Sequence, residues 1–282
     1  MPKVLRKLFG SEPGPPPLPE NLLPDLVQRQ PILLCLDYDG TISEIAREPR
    51  LARPVGGAVE ALRAVAAHRE RVTTALISGR TVRDLRAMMS IPPGIALAGV
   101  HGLQVLDPTG KIEVARGIKE CREDLENARL WLDHNLPANA GFIVENKGVA
   151  LALHYRQAAG PIAHYVRDSF EQFIMERTSS LWPRHGKMVL EALPKIATKA
   201  TAVRTLWQRV GPEFEPVYFG DDLTDEDAFS ELAADGISVL VGEPRRSAAR
   251  YRVGGPADVV RMLNALAAAL EALPKRNAGE QS

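Results

Sequence analysis

Apolar positions along this chain alternate between two patterns, unbroken runs of five or six residues and stripes repeating every three or four. "ILLCL" at 32–36 is a continuous run, the pattern of a strand buried on both faces. Val55, Val59, Leu62, Val65 and Ala66 then recur at helical spacing and predict a helix over 55–68. "RVTTALISGR" predicts a second strand rich in β-branched residues, 81–89 a second helix, and "GIALAG" a third strand leading to His101 and Gly102. Strand, helix, strand, helix, strand is the signature of a parallel sheet covered by helices.

The middle of the chain has a different rhythm. "LQVLDPTGKIEVAR" predicts a hairpin turned at Pro108 to Gly110, followed by a helix over 118–134. "GFIVENKGVALALHYR" predicts two strands turned at Asn146 to Gly148. A helix near 160–176 and a strand at 187–192 complete a smaller α+β module. After Pro194 the parallel pattern returns: a helix from Ala200 with Val203, Leu206, Trp207 and Val210 on one stripe, the strand "PVYFG", a helix after Asp225, the strand "GISVLVG", and a helix at 257–272. One α/β domain is thus interrupted by an inserted α+β domain. "GSEPGPPPLPENLLP" at 10–24 holds too many prolines for a helix or a central strand and reads as an extended linker.

Composition narrows the function classes. The 282 residues carry 35 basic and 35 acidic side chains, and this balance lacks the electrostatic footprint of a nucleic-acid binder. Two cysteines, Cys35 and Cys121, make no disulfide framework and point to a reducing compartment. No window approaches the roughly 18 apolar residues of a membrane span, and "MPKVLRKLF" lacks the apolar stretch of a secretory signal. The expectation is a cytoplasmic monomer acting on a small molecule, with no nucleic-acid or membrane partner.

The chemistry gathers where strands end. In extended chain, residues two apart point to the same side, so Asp37 and Asp39 of "LDYDGT" would project together at the carboxyl end of their strand, where open α/β sheets bind ligands. "GDDLTDED" follows another apolar run and brings Asp221, Asp222 and Asp225 to the same edge. Converging carboxylates repel unless a cation lies among them, and hard oxygen donors suit Mg²⁺. Ser78, with Gly79 beside it allowing close approach, can donate to a phosphate oxygen. Lys199 opens a helix behind Thr198, a candidate N-cap, so ammonium and helix N-terminus can both face an anion.

These motifs in this order, "DYDGT", "ISGR", a lysine opening a helix and "GDDLTDED", resemble the haloacid dehalogenase superfamily of phosphotransferases and, more narrowly, the trehalose-6-phosphate phosphatases. The resemblance spans roughly residues 31–270. It implies a Rossmann-like core at 31–110 and 195–273 and an α+β cap at 111–194; beside these, the Pro-rich segment 1–30 is expected to be flexible and the tail 274–282 disordered. It further implies that Asp37 attacks the phosphoryl group to give an aspartyl-phosphate and that Asp39 serves as general acid and then base. Mg²⁺ would sit on Asp37, Asp39 through its backbone carbonyl, and Asp221, with Asp222 or Asp225 in support, while Ser78 and Lys199 orient the phosphoryl group.

The narrower resemblance rests on "GVHG" at 99–102, "VENKGVALALHYR" at 144–156 and "HGKMVLEALP" at 185–194. Mapped by motif, it makes Gly79, Arg80, His101, Glu145, Lys147, His154, Arg156, Lys187 and Glu191 the substrate-binding set. Arg80 reads equally as a substrate ligand or a tie within the core, and Glu145 with Lys147 as an exposed cross-strand pair. The chain departs from the family at Gln104, Leu193 and Ala200, positions that bear on sugar specificity rather than phosphoryl chemistry. Sucrose 6-phosphate and glucosylglycerol phosphate are therefore the rival substrates. A signalling receiver also forms aspartyl-phosphate, but it needs neither an acid two residues beyond its nucleophile nor an inserted domain. A silent regulatory module would have lost a motif residue, and every one is present.

Overall fold

The structure, a computed structural model, describes residues 14–46, 51–106, 110–186 and 188–274. The described residues fall into two compact units, one within 1–102, 106–112 and 198–282, the other within 103–105 and 113–197.

The first unit is built on a parallel sheet. Its strands are β1 (Ile32–Asp37), β2 (Val72–Ile77), β3 (Ile95–Gly99), β10 (Glu215–Gly220), β11 (Ile237–Val241) and β12 (Tyr251–Val253), in the order β12–β11–β10–β1–β2–β3. Two short strands, β4 (Gln104–Leu106) and β5 (Ile112–Val114), lie where the chain leaves this unit. All six residues of β1 are buried, as its apolar run requires for a central strand covered on both faces. Alternation along β1 sorts the faces. Ile32, Leu34 and Leu36 join the core made with α1 (Leu22–Arg29), α2 (Ala58–Ala66), α3 (Val82–Met88) and α8 (Pro256–Glu271). Leu33, Cys35 and Asp37 alternate with them, and α6 (Lys199–Val210) packs against β1. On β10, Tyr218 meets Phe229 of α7 (Glu226–Glu231) edge to face.

The second unit holds an antiparallel sheet in the order β6 (Ile143–Asn146), β7 (Leu151–His154), β9 (Val189–Pro194), β8 (Leu181–Gly186). A 3₁₀ turn at Lys119–Cys121 leads into α4 (Arg122–Asn135), which packs with α5 (Gly160–Arg177) against that sheet. Leu151, Leu153, Leu190 and Ala192 are buried, and Trp131 stacks on both Phe170 and Phe173.

Two expectations need correction. The segment 1–30 is not flexible throughout: α1 buries Leu23 and Val27 and packs on α8, and Pro17 bridges to Arg252 of β12. Pro24 does not break α1, because it lies in the first turn, where its missing N–H has no helical partner to lose. The single strand expected at 187–192 is a hairpin of β8 and β9; Pro183 is tolerated within β8 because that strand is at the sheet edge. Residues 1–13, the turn residues 107–109, Lys187 and all of the expected tail except Pro274 lie outside the described residues.

Candidate active site

Three adjacent strands bring the chemistry together. β10, β1 and β2 run parallel side by side, with Leu36 opposite Phe219 and Asp37 opposite Ile77. Their carboxyl ends therefore deliver Asp221, Asp37 and Ser78 to one edge. α6 adds Lys199 at its first position, its N-cap Thr198 accepting from the Thr201 N–H at 3.0 Å.

Lys199 is the hub of this cluster. Its Nζ lies 2.9 Å from Asp37 Oδ1 and 2.6 Å from Asp225 Oδ1, with the three side chains 3%, 5% and 0% exposed. Burial works against the lysine's charge, but Asp37 and Asp225 outweigh it and hold Lys199 above the usual lysine range. Asp37 is raised well above an ordinary carboxylate, by burial first; Lys199 pulls it back, and Asp225 and Asp221 push it up again. Burial, then Asp225, moves Asp221 from 3.8 up to about 7. Tyr218 donates its hydroxyl to Asp225 Oδ1 at 2.5 Å, and the Asp222 N–H donates to Asp225 Oδ2 at 2.9 Å.

Asp37, Asp221 and Asp225 offer oxygens within 4.8 Å of one another. Asp221 Oδ1 is buried with no hydrogen-bond partner, an arrangement that costs free energy unless a cation or donor fills it. This donor set fits a hard divalent cation. Asp225 already accepts from Lys199, Tyr218 and the Asp222 amide, and Asp37 from Lys199, whereas Asp221 Oδ1 accepts from none. Asp222 does not join them: it is the exposed N-cap of the short turn at Leu223–Asp225, accepting from the Leu223 N–H. The Asp39 side chain also lies elsewhere. β1 ends at Asp37, the chain turns through Gly40 at φ 79°, and both Asp39 oxygens accept from Arg80, at 2.7 and 2.6 Å. Asp37 and Asp39 thus have separate partners, because the extended spacing that would align them stops at the strand end. Arg80 also lies over the Tyr38 ring.

Two glycines are required by close approach. A Cβ on Gly40 would lie 1.9 Å from an Asp221 carboxylate oxygen, and one on Gly79 would lie 2.8 Å from the His101 ring. His101 is buried at φ 53°, so Ser78, Gly79, Arg80 and His101 form one packed corner, with the Arg80 N–H donating to Ser78 Oγ at 3.2 Å.

The remaining candidates belong to the second unit. Register places Glu145, Ala152, Glu191 and Arg184 in one row across β6, β7, β9 and β8, and His154 in the next row of the same face. Glu145 pairs with His154 at 3.0 Å, and Lys147 Nζ lies 2.5 Å from Glu191 Oε1. Gln104 donates to the Lys147 carbonyl at 3.2 Å. Arg156 is exposed just after β7, and Lys187 lies outside the described residues. Placing the strand at 187–192 left out two residues of this face: Arg184, opposite Glu191, and Trp182, 55% exposed and two positions along. A β-strand reading of "LWPRHG" would have exposed both. Tyr218 and Arg245, which hold the acidic loop, carry no motif and are visible only through their contacts.

The trehalose-phosphatase family model matches residues 35–256, which includes every residue of this cluster. The chain belongs to the trehalose-phosphatase family. Its fold is shared with that of a haloacid dehalogenase-like hydrolase from Bacteroides thetaiotaomicron, which superposes with a TM-score of 0.57 at 14% identity. A Mycobacterium marinum trehalose-phosphate phosphatase is 34% identical over 251 residues, covering 84% of this chain and 62% of that protein. A Mycobacterium tuberculosis protein described as an uncharacterized glycosyl hydrolase is 36% identical over 262 residues, covering 87% of this chain and 19% of that protein. The chain therefore spans less than two thirds of the length of these relatives. The structure of Aspergillus fumigatus trehalose-6-phosphate phosphatase superposes with a TM-score of 0.66 at 26% identity, covering 90% of this chain and 99% of that one. Among the described residues, no helix is long and apolar enough to cross a membrane.

Proposed function

We propose that the chain hydrolyses trehalose 6-phosphate to trehalose and phosphate in a reducing cytoplasm. The observation that carries this reading is the contact of Lys199 with Asp37 at the carboxyl edge of the sheet, in a chain of this family. Asp37 attacks phosphorus; a bond forms from its carboxylate oxygen and the bond to the sugar oxygen breaks. Asp39 gives that oxygen a proton, then takes one from the water that attacks the aspartyl-phosphate and releases phosphate. Before either transfer, Asp39 must exchange its hold on Arg80 for the reacting oxygens. Ser78 and Lys199 bind the phosphoryl oxygens, and Lys199 already stands at the attacking carboxylate. Asp37 and Asp221, with the Asp39 carbonyl, would hold Mg²⁺, whose charge would offset the negative charge that builds on the phosphoryl oxygens. Glu145, Lys147, His154, Arg156, Lys187 and Glu191 take the sugar, with Trp182 and Arg184 on the same face as Glu191; aromatic stacking and charged hydrogen bonds suit a disaccharide.

The test is phosphate release with Mg²⁺ and with excess chelator, across trehalose 6-phosphate, sucrose 6-phosphate, glucose 6-phosphate and glucosylglycerol phosphate. Chelator-sensitive preference for trehalose 6-phosphate is expected. Preference for another ester would overturn the sugar assignment, and metal-independent turnover would overturn the cation.

A further inference from the structure

The buried, unpartnered Asp221 Oδ1 raises the question of what holds it in place. With no donor on that oxygen, its position is set by the backbone that carries it. Besides the Asp225 N–H, which donates to the Asp222 carbonyl at 3.1 Å, side chains hold that backbone at two points. One is the Asp222 N–H, bound by Asp225 at 2.9 Å. The other is Arg245, in the segment between β11 and β12, whose Nη2 donates to the carbonyls of both Asp221 and Asp222, at 3.3 and 3.1 Å.

Arg245 is itself oriented. Its Nη1 donates to Glu226 Oε1 and to the Arg246 carbonyl at 3.2 Å. The other oxygen of Glu226 accepts from Ser247 Oγ at 3.1 Å and from the Ala248 N–H at 2.8 Å. One carboxylate at the start of α7 thus gathers contacts from Arg245, Ser247 and Ala248, and the guanidinium reaches across to the acidic loop. Side-chain exposures of 29% for Arg245 and 24% for Glu226 place the pair in partial shelter, where such bonds keep their directionality. The planar fork is what allows one side chain to hold two successive carbonyls and a carboxylate at once; an ammonium has no such geometry.

We propose that Arg245, oriented by Glu226, is a positioning residue for the cation site: it fixes the 221–222 backbone so that Asp221 faces Asp37, and thereby sets divalent-cation affinity without touching cation or substrate. The inference rests on the reading above, in which Asp37 and Asp221 hold Mg²⁺. Partners one layer behind a metal ligand typically contribute about 10–100-fold in affinity.

The experiment is titration of the full chain with Mn²⁺, free ion followed by electron paramagnetic resonance, for wild type, Arg245→Gln, Arg245→Lys and Asp221→Asn, with thermal unfolding of each. The expected result is binding about tenfold or more weaker in Arg245→Gln, weaker binding in Arg245→Lys as well, and wild-type kcat once Mg²⁺ is saturating. Wild-type affinity in Arg245→Gln would overturn the inference and leave the cation reading intact. Full rescue by Arg245→Lys, which keeps charge and most of the packing should Arg245→Gln fail to fold, would show that charge alone acts and would overturn the positioning role. Absence of Mn²⁺ binding in wild type, or undiminished binding in Asp221→Asn, would overturn the cation reading and this inference with it.

Discussion

A guanidinium that holds both oxygens of a carboxylate fixes its orientation more firmly than any single hydrogen bond, and Arg80 holds Asp39 in this way. Asp37 is meanwhile buried against Lys199. In the proposed mechanism the two aspartates divide the work, one held by an ammonium for attack and one held by Arg80 until a proton is needed. This division gives a residue-level prediction that separates them. p-Nitrophenyl phosphate has a leaving group that needs no proton, so Asp39→Asn should release one equivalent of nitrophenolate in a burst and then stall, lacking the base for the second half. On trehalose 6-phosphate the same variant should fall by about 10²–10⁴-fold, the usual worth of a general acid or base. Asp37→Asn should give neither burst nor turnover. A burst in Asp37→Asn would remove it as nucleophile, and steady turnover of the aryl ester by Asp39→Asn would remove Asp39 as base.

Elements that are continuous in sequence and buried on both faces announce themselves, and those at edges do not. β1, β2, β10 and β11 are apolar runs in the chain and central strands in the sheet, so the edge carrying Asp37, Ser78 and Asp221 was legible from pattern alone. α1 and β8 were not, for one shared reason: each contains a proline at a position where its missing donor costs nothing, the first turn of a helix or an edge strand. Pattern also could not say that Asp222 would cap a turn while Asp221 pointed inward, since neighbouring carboxylates are equivalent until the backbone turns. The packing of α1 makes its own prediction. Leu23 is 1% exposed within the core shared with α8, so Leu23→Ala should cost about 2–5 kcal/mol. At 2–4 °C per kcal/mol for a chain of this order, thermal unfolding should fall by roughly 4–20 °C. Turnover well below the melting range should be unchanged, because α1 lies on the face of the sheet opposite Lys199. An unaltered melting temperature would return residues 22–29 to the status of a linker.

For the molecule as a whole, the carboxylate cluster ties folding to pH and to cation. Asp221 binds its proton more tightly folded, with a pKa of about 7, than at its ordinary 3.8, and Asp37 is shifted in the same direction. A group whose folded pKa is raised contributes stability that is present below its unfolded value and is lost as pH rises through the folded one. For Asp221 that window runs from about 3.8 to about 7. Lys199 keeps its proton throughout this range, so it does not counteract the loss. The metal-free chain should therefore become less stable from pH 5 to pH 8 through this cluster. A divalent cation bound there would take the place of those protons, so its binding should strengthen over the same interval and stabilise the folded state by mass action. The rise in melting temperature on adding Mg²⁺ should accordingly be larger at pH 8 than at pH 5, and Asp221→Asn should abolish most of the difference. Calorimetric unfolding at the two pH values, with Mg²⁺ and with chelator, measures it directly. Equal Mg²⁺ shifts at both pH values would mean that the cation does not compete with protons on these carboxylates, and the cluster would then have to be read as a neutral, hydrogen-bonded part of the core.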